Sequence, residues 1–393
     1  MNCPICHSLN NEQVYKKLSQ SITSDSELVN FPISNVICFD CGNVFNETGA
    51  RNQVNKFYAD DYKLHEETKK AEFKYFNDGK FVTHQDLRLE ILENFFTPSN
   101  QGKILDIGCG KGNFLLSFSK KYKKWDLYGI EISKSAIEFA NQILPQATFY
   151  EGFFNSKIFT EKFDLILAHG VLEHLESPNV FLDDMLSCLN DDGIIFIEVP
   201  NFKLNSADLF TYDHLTHFTK ETLLNLFNLH GIEPIGLIES NERLPISIIC
   251  KKTTNKKTII NHYTLLKKLT DEHIQINESI FQTYKKINDE FSKFGIFGLG
   301  EIGLAGIQHG KLDKEKIQFF FDENDLLVGT KKLGIEIKHL SDLSKYPDLP
   351  IALSVSPCYM KNIIKKLDKF NTNYLTPTGF EYYNSFFENS TIR

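Results

Sequence analysis

Apolar and polar positions alternate along the chain in two rhythms. Short apolar runs, bounded by Gly, Pro, Asn or Asp, read as strands. They are Ile104–Ile107, Leu127–Ile130, Ala147–Tyr150, Phe163–Ala168, Gly193–Val199, Pro234–Ile238 and Pro245–Cys250. Between them the spacing becomes helical, as in Phe114, Leu115, Leu116 and Phe118. Over 103–252 this predicts an α/β fold, a doubly wound seven-stranded sheet whose last two strands form a hairpin-like pair. Leu87, Leu89, Ile91, Leu92, Phe95 and Phe96 predict a helix that ends near Pro98, and 51–100 reads as helical throughout. In 253–293 a polar linker precedes a long amphipathic helix (Leu266, Leu269, Ile276, Ile280, Tyr284, Ile287), read as a strut. Strands at Phe294–Phe297, Ile317–Phe321 and Ile351–Val355, with a helix from about Tyr359, start a second, smaller α/β unit. The boundaries that follow are 1–75, 76–252, 253–293 and 294–393.

Within 103–115 the first strand runs into a glycine turn and a helix start. Gly108, Gly110 and Gly112 allow backbone angles closed to other residues and let a ligand approach the main chain. Asp106 stands inside the strand end, and Glu131 closes the second strand 19 residues after Gly112, where an acid can accept hydrogen bonds from ribose hydroxyls. A pyrophosphate-binding turn favours Gly-x-Gly-x-x-Gly. Here the pattern is Gly-x-Gly-x-Gly beside an acid, which suits a cationic sulfonium. It resembles the first motif of class I S-adenosylmethionine (SAM) methyltransferases. The resemblance implies a methyltransferase sheet with SAM held by Asp106, Gly108, Cys109, Gly110, Gly112, Glu131 and Ile132. Ligands in such sheets lie beyond the carboxyl ends of the strands, which adds Gly152, Phe153 and His169. Val171-Leu172-Glu173-His174-Leu175 also resembles that family beside its cofactor, although Glu173 and His174 are open to a capping role.

Two Cys-x-x-Cys pairs, Cys3/Cys6 and Cys38/Cys41, each place two thiolates on one side of a tight turn. Together they predict a tetrahedral, structural Zn²⁺ site. The 31 residues between Cys6 and Cys38 exceed the usual spacing and require a hairpin with an extended loop. His7 is a further possible ligand. Cys109, Cys188, Cys250 and Cys358 read as small buried residues.

Charge narrows the partners. The net charge of −8 gives no reason to expect nucleic acid or an acidic membrane surface. No apolar run reaches the roughly 20 residues of a membrane helix. The start lacks a secretory signal, which predicts a cytoplasmic protein, monomer or homodimer.

The segment Asp208–Thr219 follows the fifth strand, where an acceptor should enter. It carries Tyr212, Asp213, His214 and His217. His214 is the first candidate for general base, since histidine titrates near operating pH; Asp213 could orient it, and His217 and Tyr212 are the alternatives. Asp213 and His214 could instead cap the helix beginning near Thr219. The second unit carries Gly298-x-Gly300-x-x-Gly303 and, 19 residues on, Asp322. It is Rossmann-like and could hold NAD or a nucleotide diphosphate.

A four-cysteine N-terminal domain, a class I methyltransferase core, a long helix and a Rossmann-like C-terminal domain resemble the sugar C-methyltransferases of nucleotide-linked 4-keto deoxysugars. The resemblance implies a nucleotide-linked sugar as substrate. Those enzymes resemble Tyr-x-Glu-His where this chain has Thr211-Tyr212-Asp213-His214. Asp replaces Glu and the tyrosine is shifted by one. An O-methyltransferase of surface-polysaccharide sugars, needing only a base, is the alternative; a non-catalytic SAM- or NAD-binding scaffold is the third reading.

Overall fold

The computed structural model describes residues 1–17, 21–48, 74–77, 80–239, 245–298, 300–309, 311–324, 327–355, 357–370 and 374–375. Near the start, β1 (Asn11–Lys17) pairs antiparallel with β4 (Ile33–Cys38), with a small hairpin β2 (Ser21–Ile22) and β3 (Leu28–Val29) between them. β5 (Val44–Asn46) continues that sheet. β6 (Lys74–Asn77) and β7 (Lys80–Thr83) form a second hairpin. At 74–77 and 80–83 this corrects the expectation of a helical 51–100; helix α1 (His84–Phe95) follows the hairpin. Thr83 starts it with a reciprocal capping box to Asp86, which stops the helix extending back into the hairpin. Phe57, Tyr58, Tyr62 and Phe73, expected to pack this arm, lie outside the described residues, as do the side chains of Tyr75, Phe76 and Cys358.

The central sheet has seven strands: β8 (Gly102–Ile107), β9 (Trp125–Glu131), β10 (Thr148–Glu151), β11 (Phe163–His169), β12 (Leu189–Pro200), β14 (Ile232–Ile238) and β15 (Pro245–Lys252). Their order is β10-β9-β8-β11-β12-β15-β14, and only β15 runs against its neighbours. Helices α2 (Asn113–Lys121), α3 (Lys134–Ile143), α4 (Pro178–Cys188) and α5 (Lys220–His230) flank it. Covered on both faces, the strands need no polar alternation. Ile194 to Val199 are accordingly all buried. A short strand β13 (Thr216–His217) leaves this unit and pairs with β5, so the N-terminal sheet ends on a strand from the acceptor segment.

Helix α6 (Tyr263–Glu290) spans 28 residues, or about 42 Å at 1.5 Å per residue. Its first turns bury Leu266 and Leu269 against Ile37, Val44, Phe202 and Leu209. Its far end buries Ile280, Tyr284 and Ile287 in the C-terminal core. That unit is a six-stranded sheet in the order β18-β19-β17-β16-β20-β21, with all neighbours parallel except β18 against β19. The strands are β16 (Phe294–Phe297), β17 (Ile317–Asp322), β18 (Lys331–Lys332), β19 (Ile335–His339), β20 (Ile351–Leu353) and β21 (Tyr374–Leu375). Helices α7 (Glu301–Gln308) and α8 (Pro357–Leu367) complete the unit. No helix among the described residues is long and apolar enough to cross a membrane.

Candidate functional site

The turn between β8 and α2 holds three glycines, Gly108, Gly110 and Gly112, at positive φ, where a side chain would be strained. Gly108 has φ +71°, and a Cβ there would lie 2.7 Å from Val171 Cγ2. Gly108 and Cys109 both donate to the Ile130 carbonyl, which locks the turn against β9. Beyond it opens a cavity of about 590 Å³, within the usual range for a small-molecule site. Of the ten residues expected to hold cofactor, Asp106, Gly108, Cys109, Gly110, Glu131, Ile132, Gly152, Phe153 and His169 line it. Gly112 does not; it is the left-handed cap of α2.

The wall is acidic where the turn meets the strands. Glu131 accepts from the Gly110 and Ser133 amides at 3.1 and 3.0 Å, so its carboxylate faces the turn with further lone pairs open to a ligand. Asp106 is almost fully buried, and burial pushes its carboxyl up to about 7; Arg88 opposes that and Glu131 adds to it. Arg88, from α1, lines the cavity and donates from Nε to Glu198, which also accepts from Ser247. Burial alone would raise Glu198, but Arg88, His169 and Ser247 hold it down to about 2. His169 is lowered to about 3 by burial and by Arg88, so its ring is neutral. Its buried Nε2 has no partner among the described residues. A roomy cavity, two carboxylates and an orphaned imidazole nitrogen fit a ligand that is cationic at one centre and hydrogen-bonding elsewhere.

The acceptor segment lies behind this cavity, not on its wall. Asp208 joins two histidines: it accepts from His214 Nδ1, and its other oxygen is 2.7 Å from His217 Nδ1. These contacts override the effect of burial and hold Asp208 well below the usual carboxylate range. For His214, burial disfavours the charge, but Asp208, with Asp213 and Glu173, raises the imidazole to about 10. At rest it therefore carries a proton, which must leave before the ring can act as the base that its type led one to expect. The residue that orients His214 is Asp208, not Asp213. Asp213 instead accepts from Ser24, from N at 2.8 Å and Oγ at 2.6 Å. The cap of α5 is Thr219 with Thr222, so neither Asp213 nor His214 is a helix cap.

His217 has its second nitrogen 3.1 Å from Asn35 Oδ1 and is buried, which makes it part of an internal network. Tyr212 stacks on Phe31 with ring centroids 5.0 Å apart and is 1% exposed. The link to the cavity is His174, which lines it and packs 4.9 Å, ring to ring, from His214. Glu301, at the first turn of α7, also enters this corner; burial lifts its carboxyl to about 7, and it receives the Asn205 amide. Asp208, Arg88 and Glu301 were not anticipated as functional. Asp208 could have been found from its place six residues before His214; Arg88 and Glu301 have partners too remote in the chain to leave a signal.

The second glycine turn is filled by the protein itself. A Cβ on Gly303 would lie 2.1 Å from Ser354 Oγ, and one on Gly298 2.8 Å from the Ser354 carbonyl. These glycines permit close packing of α7 on the end of β20.

At the N-terminus the four expected cysteines meet. Cys3 and Cys41 have Sγ atoms 3.6 Å apart, and Cys6 and Cys38 3.5 Å; all four lie within 4.8 Å of one another. Four thiolates at about 2.3 Å from a zinc ion stand roughly 3.8 Å apart, so the set fits a tetrahedral ion. His7 is exposed and outside the cluster. Cys109, Cys188 and Cys250 are buried free thiols, as expected of them.

Comparison with known proteins places this cavity in a family context. Residues 81–236 match the model of a methyltransferase domain. An uncharacterised protein of Rickettsia prowazekii is 33% identical over 108 residues, 25% of this chain and 43% of its own. The ubiquinone biosynthesis O-methyltransferase of Glaesserella parasuis is 34% identical over 109 residues, 25% of this chain and 45% of its own. The chain thus spans less than half the length of these relatives. Among solved structures, the plantazolicin methyltransferase BpumL with SAH is 23% identical, covering 43% of this chain and 84% of that one at a TM-score of 0.35.

Proposed function

We propose that the protein transfers a methyl group from SAM to a sugar, probed first as C-methylation of a nucleotide-linked keto deoxysugar. The observation that carries the methyl-transfer reading is the cavity, whose wall brings Asp106 and Glu131 together with the glycine turn. When bound, SAM supplies the methyl, which leaves its sulfonium in line for the acceptor nucleophile. The residues do the rest. Asp106 favours positive charge at the turn, and Glu131 takes the ribose hydroxyls. Neutral His169 can donate or accept at its open nitrogen. Orientation is the main contribution such a site makes.

On the acceptor side, His214 with its partner Asp208 handles the proton that the acceptor must lose. Tyr212 and Asp213, spent on Phe31 and Ser24, shape the loop, and His217 positions Asp208. This weakens the C-methylation reading at one point: the tyrosine that would share acid–base work is packed into the interior. That observation favours O-methylation of a sugar hydroxyl as the second reading. The four cysteines hold structural zinc in this proposal. The division into 1–75, 76–252, 253–293 and 294–393 is kept, with the last a Rossmann-like unit that supports the acceptor corner through Glu301.

Mass spectrometry of a nucleotide-sugar panel incubated with the protein and labelled SAM tests the proposal. Label in a sugar carbon or oxygen supports it, and label in neither sinks the sugar assignment. Solvent-hydrogen exchange at the sugar carbon without SAM separates the two readings, since only C-methylation needs an enolate.

A further inference from the structure

At the point where the acceptor corner touches the cavity, three side chains converge. A carboxylate oxygen of Glu173 and one ring nitrogen each of His174 and His214 all lie within 4.8 Å of one another. Glu173 and His174 sit in the single turn Leu172–His174 after β11. His214 is brought to them because the Leu215 amide donates to the Glu173 carbonyl at 2.7 Å.

Both imidazoles are anchored from behind. His214 Nδ1 is held by Asp208, and His174 Nδ1 lies 2.8 Å from the Asp213 carbonyl with Asp213 Oδ2 at 3.6 Å. The other nitrogen of His174 faces Glu173 at 3.8 Å. A ring fixed through one nitrogen by a carboxylate or carbonyl, with the other turned to a shared point, is how metal-binding histidines are oriented. Glu173 supplies an independent sign. It is 2% exposed, yet its Oε2 has no hydrogen-bond partner among the described residues. A buried carboxylate oxygen left without a donor is costly unless a cation stands beside it.

We propose that Glu173, His174 and His214 bind one divalent transition-metal cation. Two imidazoles and a carboxylate suit zinc, iron(II) or cobalt(II) better than the all-oxygen shells of magnesium and calcium. Three protein ligands leave coordination positions open, as in catalytic sites and unlike the closed cysteine site. His174 belongs to the cavity wall, so an open position faces the cofactor space. There the ion binds an acceptor oxygen: the O–H bond breaks, a metal–oxygen bond forms and the proton passes to cavity water. The inference rests on the acceptor-side reading above and deepens it, for His214 then acts on the acceptor proton through the ion.

The test uses the full-length protein with its cysteine-site zinc retained, since thiolates keep zinc against cobalt. Titration with Co²⁺ is followed by calorimetry and visible absorption, and SAM affinity is measured on the same samples. Wild type should bind one Co²⁺, and Glu173→Gln and His214→Gln should each weaken it more than tenfold. Asp208→Asn should cost 10- to 100-fold, the usual effect of an outer-shell partner. SAM affinity within threefold of wild type shows that each variant is folded. Absence of Co²⁺ binding in wild type, or equal binding in the Glu173→Gln/His214→Gln double variant, overturns the metal site alone. Absence of SAM binding in wild type overturns the methyl-transfer reading, whatever cobalt does.

Discussion

Asp106 gives the proposed cofactor site a pH dependence that can be worked out in advance. Its carboxyl is pushed up to about 7 in the ligand-free protein, mainly by burial. A cationic ligand binds the ionised form, so the apparent dissociation constant scales with 1 + 10^(pKa − pH). Between pH 8 and pH 6 that factor grows about tenfold, equal to roughly 1.4 kcal/mol. Calorimetry of SAM binding from pH 6 to 8, in two buffers of different ionisation enthalpy, should show the weakening and release of about half a proton near pH 7. In Asp106→Asn the slope should vanish, which separates Asp106 from the other ionisable groups of the wall. At pH 8 the variant should bind more weakly by roughly 1.5–3 kcal/mol, a charge-assisted contact.

The stability effect has the opposite sign. A raised native pKa means that the folded state holds the proton more tightly than the unfolded chain. The stabilisation is complete below the ordinary value of 3.8 and is lost as pH rises to about 7. The full gap corresponds to roughly 4 kcal/mol. Without ligand, Asp106→Asn should therefore melt higher than wild type at pH 8. A SAM affinity that is flat across pH 6–8 in wild type, or equally sloped in both proteins, would refute the assignment of Asp106 as the ionisable contact.

Other outcomes follow from the same geometry. Glu131→Ala should weaken SAM and its demethylated product alike by roughly 1.5–3 kcal/mol in calorimetry; unchanged affinity would mean that the ribose is held elsewhere. Freshly purified protein should carry about one zinc per chain at the four cysteines by metal analysis. Cys38→Ser should lower the folded yield while the folded fraction keeps its SAM affinity. His214→Ala should reduce turnover about 10²–10⁴-fold with SAM binding nearly untouched. Retention of more than about a tenth of turnover is too small a loss for the group that handles the acceptor proton.

What could be read from the chain was local. The β8 turn lies within one strand and one helix, so glycine spacing and an acid in the strand were enough to mark its wall. The cysteine pairs were legible for the same reason, since each pair lies on one turn. What escaped notice depends on pairings between distant residues. Arg88 meets Glu198 across 110 positions, and Asn205 meets Glu301 across 96. The hairpin at 74–83 was missed because aromatic residues at irregular spacing fit either period. The role of Asp213 was misjudged because its partner, Ser24, lies 189 residues earlier.

These long-range contacts have one consequence for the acceptor segment. Several polar ties on 208–217 come from the N-terminal unit: Asn35 donates to the Leu209 carbonyl, Asn46 to the Tyr212 carbonyl, and the Tyr212 amide donates to the Ile22 carbonyl. β13 then adds Thr216 and His217 to the edge of β5, whose nearer end, Val44, is three residues from Cys41. Asp208, and through it His214, is thus held by strands that the cysteine cluster staples together. The β8 turn is instead locked within the central sheet by the Ile130 carbonyl. Loss of the cysteine site should therefore separate the two halves of the reaction, leaving SAM bound at the β8 turn and the acceptor corner misplaced.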